Sequence, residues 1–270
     1  MVDIRDLEWV ALREDDGRAY LLQKKPGEIK IKGLGRFDSG ELLDGFSIGD
    51  RIKVGQKSLT IVKAALPEAR RNMFRRAQTI GIKDSGFLLS WMGIGVGSRV
   101  LEGGHGSAGL AMHIANVLGK DGTLISVEIR DEHAQVGKQN MDRLKEILPE
   151  FPDWHLLVGD LIEVEDKVKE ICDDIDAAII DMAEPWTVIK SIIPTIRIGG
   201  RIACYCPTTS QLEKSWNACE DAGLEIEWAG EMIERKWSKA SKGGVRPGNQ
   251  PMGHTAFLLI AAKIASEEEE

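Results

Sequence analysis

The sequence predicts an α/β protein: a mostly parallel sheet flanked by helices, an antiparallel last strand, and a small N-terminal β-barrel. Three observations predict it. From about residue 98 the chain alternates strand-like and helix-like segments, the pattern of a parallel sheet with both faces covered. The first of these strands passes into its helix through a glycine-rich turn, Gly103-Gly104-His105-Gly106-Ser107-Ala108-Gly109. The last two strand-like segments have no helix between them, which makes them an antiparallel pair.

Residues 1–65 hold short alternating segments at 7–12, 19–23, 28–32 and 51–53, separated by turns such as Asp15-Asp16-Gly17 and Lys25-Pro26-Gly27; alternation between turn residues is the signature of half-buried strands. Near residue 65 the pattern turns helical, first around Arg70, Arg71, Arg75 and Arg76 and then over 83–92, so a β-barrel domain is expected over 1–65 and a larger domain over 66–270. Strands are expected at 98–102, 123–128, 154–158, 177–181 and 201–205, and helices at 109–118, 131–148, 186–193 and 209–222. The closing pair of strands spans 224–236 and 254–262, and the run Glu267 to Glu270 reads as a solvated tail.

At roughly 100 to 200 residues per domain, 270 residues accommodate one large domain with a small companion. With 43% hydrophobic and 29% charged residues the composition is that of an ordinary globular protein. No apolar run approaches the roughly 20 residues of a bilayer span, and the start, Met1-Val2-Asp3-Ile4-Arg5-Asp6, lacks a secretory signal, so a cytoplasmic protein without membrane contact is expected. Cys172, Cys204, Cys206 and Cys219 form no CxxC and stand near no histidine pair, which disfavours disulfides and a metal site. The net charge of −8 argues against coating nucleic acid by bulk electrostatics and leaves room for local basic patches.

Gly104, Gly106 and Gly109 spell GxGxxG, and Glu128 ends the next strand. Alone, this turn suits the ribose of NAD, the nucleoside of S-adenosylmethionine, or tight packing with no ligand. Asp160 and Asp181 follow the third and fourth strands, so with Glu128 three carboxylates fall at the C-terminal edge of the sheet, where ligands of such folds bind. That set, with the antiparallel end, suits S-adenosylmethionine better than a hydride carrier. The plain reading of Asp181 is an N-cap ahead of Pro185.

With these residues in view, the chain resembles the class I S-adenosylmethionine-dependent methyltransferases, whose sheet is Rossmann-like, and among them the tRNA (adenine-N1)-methyltransferases acting at position 58. The likeness covers nearly the whole chain. It rests on Arg75-Arg76-Ala77-Gln78, Lys83-Asp84, the glycine loop, Val127-Glu128-Ile129-Arg130, Asp181 through Pro185-Trp186, and Gly253-His254-Thr255-Ala256-Phe257. The resemblance implies a homotetramer with tRNA as partner. It also implies a cofactor lying over Gly104, Gly106, Ser107 and Gly109, with Glu128 on the ribose, His133 beside it, Asp160 and Leu161 at the adenine, Gln78 closing the site, and Asp181 facing both cofactor and target base. The chain departs from the family at His105, at Ala108 in place of glycine, which a negative φ would tolerate, and at Gly81-Ile82 where many members have Tyr-Pro.

A methyl transfer by in-line displacement requires mainly that nucleophile and methyl be held in line. Asp181 would accept a hydrogen bond from the adenine amino group and offset the charge developing on the ring. Position 58 lies inside folded tRNA, so the base must leave its stack, and phosphate contacts must surround the pocket. Arg70, Arg71, Arg75 and Arg76 are one candidate cluster; Arg235, Lys236, Lys239, Lys242 and Arg246, with Trp237 for stacking, are a second. Each cluster also reads as a solvated face, the second less so because its glycines and Trp237 suggest a contact loop. His113 and His155 are expected to pack, His254 to orient the last strand, and Cys204-Tyr205-Cys206-Pro207 to shape the pocket. The alternatives are a methyltransferase for another RNA position or substrate, a non-catalytic tRNA-binding subunit, and an NAD-dependent dehydrogenase.

Overall fold

The computed structural model describes residues 7–264; the expectations for Met1 to Asp6 and for the Glu267 to Glu270 run lie outside them. The N-terminal part consists of β1 (Trp9–Arg13), β2 (Ala19–Gln23), β3 (Glu28–Ile31), β4 (Gly35–Asp38), α1 (Ser39–Leu43), β5 (Arg51–Val54) and β6 (Lys57–Lys63). β2-β1-β6-β5 form one antiparallel sheet, and β3-β4 form a separate hairpin. The expected barrel is replaced by these two sheets, because the four-stranded ladder ends on β2 and β5 and does not close on itself. β6 is an addition to the expected strands. It joins β5 through the two-residue turn Gly55-Gln56, with Val54 opposite Lys57 and Gly55 at φ +60°, a conformation that costs glycine little. Val10, Leu12, Leu22, Leu59 and Ile61 bury a common core under this sheet.

Two helices, α2 (Leu66–Arg71) and α3 (Ile82–Trp91), precede the main sheet. Arg75 and Arg76 fall in the irregular segment between them, not on a helix. The sheet is built from β7 (Arg99–Gly103), β8 (Thr123–Glu128), β9 (Asp153–Val158), β10 (Ile175–Ile180), β11 (Ile196–Cys206), β12 (Glu225–Gly230) and the last strand, β15 (Phe257–Ala262). Between β12 and β15 lies a hairpin of β13 (Trp237–Lys239) and β14 (Val245–Pro247). The strand order is β12-β15-β11-β10-β7-β8-β9, parallel from β11 to β9 and antiparallel wherever β15 pairs.

Period-two alternation divides the sheet's side chains between two cores. Val100, Leu124, Ala177, Ile179, Leu258 and Ile260 face the layer containing α2, α3, α4 (Gly109–Leu118) and α5 (Asp131–Ile147). Leu101, Ile125, Ala178, Ile180, Leu259 and Ala261 face the layer containing α6 (Glu165–Ile171), α7 (Ile189–Ile192) and α8 (Thr209–Glu220). Each such Val, Leu or Ile side chain taken from water contributes roughly 1.5–3 kcal/mol, which holds both helical layers against one sheet.

The expected helix over 186–193 is instead a chain of short turns: 3-10 turns at Pro185–Thr187 and Ile193–Thr195 flank α7. Pro185 and Pro194 remove backbone donors, and the intervening β-branched run is a poor helix former. The expected long strand over 224–236 ends at Gly230, because the chain must leave the sheet to form the β13-β14 hairpin, whose turn places Gly243 and Gly244 at φ +91° and +80°.

The turn from β7 to α4 places Gly104 at φ +89° and Gly106 at φ +54°. Ala108, the N-cap of α4, sits in the left-handed region at φ 64° and ψ 24°, so the negative φ expected for it is not what it adopts. A Cβ costs roughly 1–2 kcal/mol there. Ala108→Gly is expected to stabilise the protein by about 0.5–1 kcal/mol in urea unfolding, the relief of strain being partly offset by greater freedom of the unfolded chain. Gly104→Ala is expected to do the opposite, since a Cβ at residue 104 would lie 1.9 Å from the Asp181 carbonyl oxygen.

Candidate functional site

At the C-terminal edge of the parallel strands lies a cleft with two lobes. One, of 510 Å³, lies between Gln78, Thr79, His133, Tyr205, Gln211 and Thr255. The other, of 540 Å³, runs over Ile129, Asp160, Leu161 and Thr187. Gly104, Glu128, Arg130, Asp181, Met182 and Ala183 line both, so the lobes meet where β7, β8 and β10 end. The sheet topology, with β10 central and β7 beside it, brings together residues as distant in sequence as Gln78 and Thr255.

The three carboxylates have different fates. Glu128 is buried; burial alone would raise its pKa, but hydrogen bonds from the Arg130 and Gly106 amides and the Arg130 guanidinium outweigh it and hold the carboxyl below its ordinary range. Its Oε2 accepts from Gly106 N at 2.8 Å and its Oε1 from Arg130 N at 3.0 Å. Asp181 behaves oppositely: desolvation, then the charges of Glu102 and Glu128, push it up to about 7. Asp160 spends Oδ1 on Ile162 N at 3.0 Å, capping the 3-10 turn Leu161–Glu163.

The glycine loop is positioned from beneath. Gly104 alone of the expected loop residues lines the cleft, while Gly106, Ser107 and Gly109 are buried. Ser107 Oγ accepts from the amides of Arg76 and Ala77, both at 3.0 Å, so its hydroxyl pins the segment that carries Gln78. Gly109 is needed for close approach, because a Cβ there would meet Thr79 Cβ at 2.4 Å. His105 Nδ1 lies 2.9 Å from Glu102 Oε2, which also accepts from Ser126 Oγ at 2.7 Å. His133 stands in the cleft wall with a buried Nδ1 that has no hydrogen-bond partner.

Two residues that build the site, Asn140 and Gln211, were not singled out from sequence. Asn140 on α5 receives Phe74 N at 2.9 Å and donates to Phe74 O and Ser107 O at 2.8 and 3.0 Å. Gln211 forms a capping box with Thr208 and donates to Ala183 O at 2.9 Å; the spacing Thr208-x-x-Gln211 is its sequence signal. The buried pair Lys83–Asp84, 2.7 Å apart, closes on Thr255, which donates to Asp84 at 2.7 Å and bonds Tyr205. Burial pushes the Tyr205 phenol up to about 12, so it remains a neutral donor. Alternation along β11 turns Tyr205 toward the cleft and Cys204 and Cys206 into the opposite core against α8. His254 bridges Pro207 O at 2.8 Å and Glu231 at 2.9 Å, tying the start of β15 to the end of β11.

The two basic clusters divide. Arg71, Arg75 and Arg76 are exposed, but Arg70, expected among them, is only 8% exposed and donates to Ile80 O and His113. Desolvation lowers it to about 10, still charged at neutral pH. Arg235, Lys236, Lys239, Lys242 and Arg246 all project from the hairpin into solvent with Trp237, itself 63% exposed.

Residues 64–243 match the model of the family described as tRNA methyltransferase complex GCD14 subunit. The chain belongs to this family. It is 29% identical to the tRNA (adenine(57)-N(1)/adenine(58)-N(1))-methyltransferase TrmI of Methanocaldococcus jannaschii, over 93% of both chains. It is 28% identical to the tRNA (adenine(58)-N(1))-methyltransferase TrmI of Thermus thermophilus, over 92% of this chain and 94% of that one. Among solved structures, a Thermotoga maritima protein described as a SAM-dependent O-methyltransferase superposes with TM-score 0.78 at 26% identity, over 97% of this chain and 95% of that one. The tRNA (m1A58) methyltransferase TrmI of Aquifex aeolicus shares the fold with TM-score 0.70 at 22% identity, over 96% and 98%.

Asn140→Ala removes three hydrogen bonds between α5, Phe74 and Ser107. At about 1 kcal/mol each, the expected loss is about 2–3 kcal/mol in denaturant unfolding.

Proposed function

We propose that this protein transfers a methyl group from S-adenosylmethionine to N1 of adenine 58 in the T-loop of tRNA. The observation that carries the reading is the two-lobed cleft whose lobes meet at Asp181, in a chain of the GCD14 family. The lobe over Leu161 suits an adenosine, and the lobe beneath Tyr205 suits a flipped base.

The residues fit the cofactor. Glu128 is an ionised carboxylate with lone pairs left for ribose hydroxyls, Gly104 offers a turn without a side chain, Leu161 supplies an apolar wall, and His133 Nδ1 is an unused polar atom beside them. Asp160 acts through its cap on the Leu161 turn, and Gly106, Ser107 and Gly109 act by holding the loop and the Gln78 segment in place. Once bound, S-adenosylmethionine presents a sulfonium methyl as the electrophile. Asp181 accepts a hydrogen bond from the adenine amino group, offsets the positive charge appearing on the ring as N1 is alkylated, and takes the proton that the amino group gives up. A carboxyl poised near 7 suits both accepting and releasing that proton.

Around the cleft, Arg71, Arg75, Arg76 and the hairpin cations hold phosphates, with Trp237 as a stacking surface. The same reading treats 1–65 as a separate domain, supported by its own buried core, and places a homotetramer in the cytoplasm. Exposed Trp91, stacked with Phe87 and Trp228, is apolar surface suited to a neighbouring subunit. No helix among the described residues is long and apolar enough to cross a membrane.

Nucleoside mass spectrometry of unmodified tRNA transcript incubated with S-adenosylmethionine tests the reaction. 1-Methyladenosine is expected, and is expected to vanish when adenine 58 is replaced. Its absence, with S-adenosylhomocysteine binding intact, would reassign the methyl acceptor. Asp181→Asn is expected to lower turnover about 100- to 10,000-fold while calorimetry still detects cofactor binding.

The ionised form of Asp181 is the active one, so wild-type kcat/KM, which reports groups of the free enzyme, is expected to rise with pH through about 7, and the variant to lack this limb. The stability sign follows from the same raised pKa. Between about pH 4 and 7 the native carboxyl keeps a proton that the unfolded chain has lost, so this group's contribution falls as pH rises. Asp181→Asn is therefore expected to melt above the wild type at pH 8, with the gap closing toward pH 4.

A further inference from the structure

Behind the segment that carries Gln78 lies a third cavity, of 490 Å³, between α2, α4 and residues 75–82. Arg70 and His113 border it from within, and Arg71 and Arg75 stand at its rim. Its other walls are apolar: Leu66, Pro67 and Ile82. The Arg70 guanidinium is buried, yet its recorded partners are the Ile80 carbonyl, the neutral ring of His113 and the Met73 sulfur. The charge felt most at Arg70 is that of Arg75, another cation, and Arg70 in turn helps burial push His113 down to about 4. A buried cation without a counter-charge is costly to hold. An anion entering the cavity removes that cost, and two of the five guanidinium N–H donors remain for it.

A second space, of 370 Å³, adjoins the cavity at Gly81 and Ile82 and reaches Lys236 beside the hairpin and Thr255 at the edge of the base-sized lobe. Two carboxylates also line it, each with a lysine partner: Asp84, 2.7 Å from Lys83, and Glu234, 3.8 Å from Lys236. A Cβ built on Gly81 would meet nothing within 4 Å. With no side chain at residue 81, the wall shared by the arginine cavity and this second space is backbone alone at that point.

We propose that this cavity is a phosphate subsite for the RNA backbone, with Arg70 as its floor, Arg71 and Arg75 as its rim, and Gly81 as the bare point of its wall, across which the strand continues to Lys236. The nucleoside next to the bound phosphate lies against Leu66, Pro67 and Ile82. The subsite rests on the reading of the protein as a tRNA methyltransferase and adds to it a defined path for the strand.

The test is binding of unmodified tRNA transcript to the full chain across a salt series, alongside S-adenosylhomocysteine calorimetry. Arg70 also supports Ile80 and His113, so its removal would confound folding with binding. Arg75→Ala and Gly81→Phe are the informative variants, the first at an exposed loop residue and the second at a backbone of φ −80° and ψ 168° open to any side chain. Arg75→Ala is expected to weaken tRNA binding about three- to tenfold and to reduce the slope of log K against log salt by about 0.9, one phosphate contact's worth. Gly81→Phe is expected to weaken tRNA binding by a similar factor with S-adenosylhomocysteine affinity unchanged. Wild-type tRNA affinity and salt slope retained by both variants would overturn the subsite. A wild type that binds tRNA but makes no 1-methyladenosine would instead overturn the proposed reaction, leaving the salt slopes to decide the subsite.

Discussion

The close approach of the Gly104 backbone to the carbonyl of Asp181 is the constraint on which the site depends. The adjacent ends of β7 and β10 converge so tightly that a Cβ on residue 104 would lie 1.9 Å from that oxygen, and Asp181 N donates to Gly103 O at 2.8 Å. This contact places a carboxylate against the glycine turn, between two lobes it must serve at once. The pairing of β7 with the central strand β10 makes the contact possible, and the two buried cores hold both strands there.

The electrostatics follow from that crowding. Glu102, Glu128 and Asp181 lie close together at one sheet edge, and they cannot all be ionised cheaply. Glu128 is held charged by two amides and a guanidinium, and Glu102 is hydrogen-bonded by Ser126 and placed against His105. Asp181 has no compensation of this kind among the described residues and carries the raised proton affinity. The chemistry assigned to Asp181 thus depends on which neighbours took the available donors. Ser107 and Asn140 make a similar allocation, using their polar atoms to fasten the Gln78 segment rather than to face the cleft.

Much of this was legible in residue order. The alternation of the parallel strands follows from strong local periodicity bounded by glycine turns; the helix at Gly109–Leu118 and the strand at Thr123–Glu128 emerged with their expected bounds, while the other parallel strands differ at their ends, β11 most, since it begins five residues before the expected start. Glu128, Asp160 and Asp181 were legible as a group because strand ends in such a sheet share one edge. The open form of the N-terminal sheet was not, since alternation specifies strands but not whether the outer two of them pair. The left-handed φ of Ala108 was equally hidden, because alanine carries no local signal for it.

Residue order by itself established the sheet, the order of its strands' acidic ends and the family to which the motifs point, because these depend on periodicity and on short spacings. The tertiary structure alone decided which side chains face the ligand. Arg70 reads as one member of a basic run, yet packing of α2 against α4 buries it, while Arg71 beside it remains in solvent. Lys83, Asp84, Tyr205 and Thr255 form one hydrogen-bonded group although more than a hundred residues separate its two halves. The reason is physical: burial and donor allocation are properties of the assembled neighbourhood, and no local pattern encodes which of two adjacent arginines will lose its water.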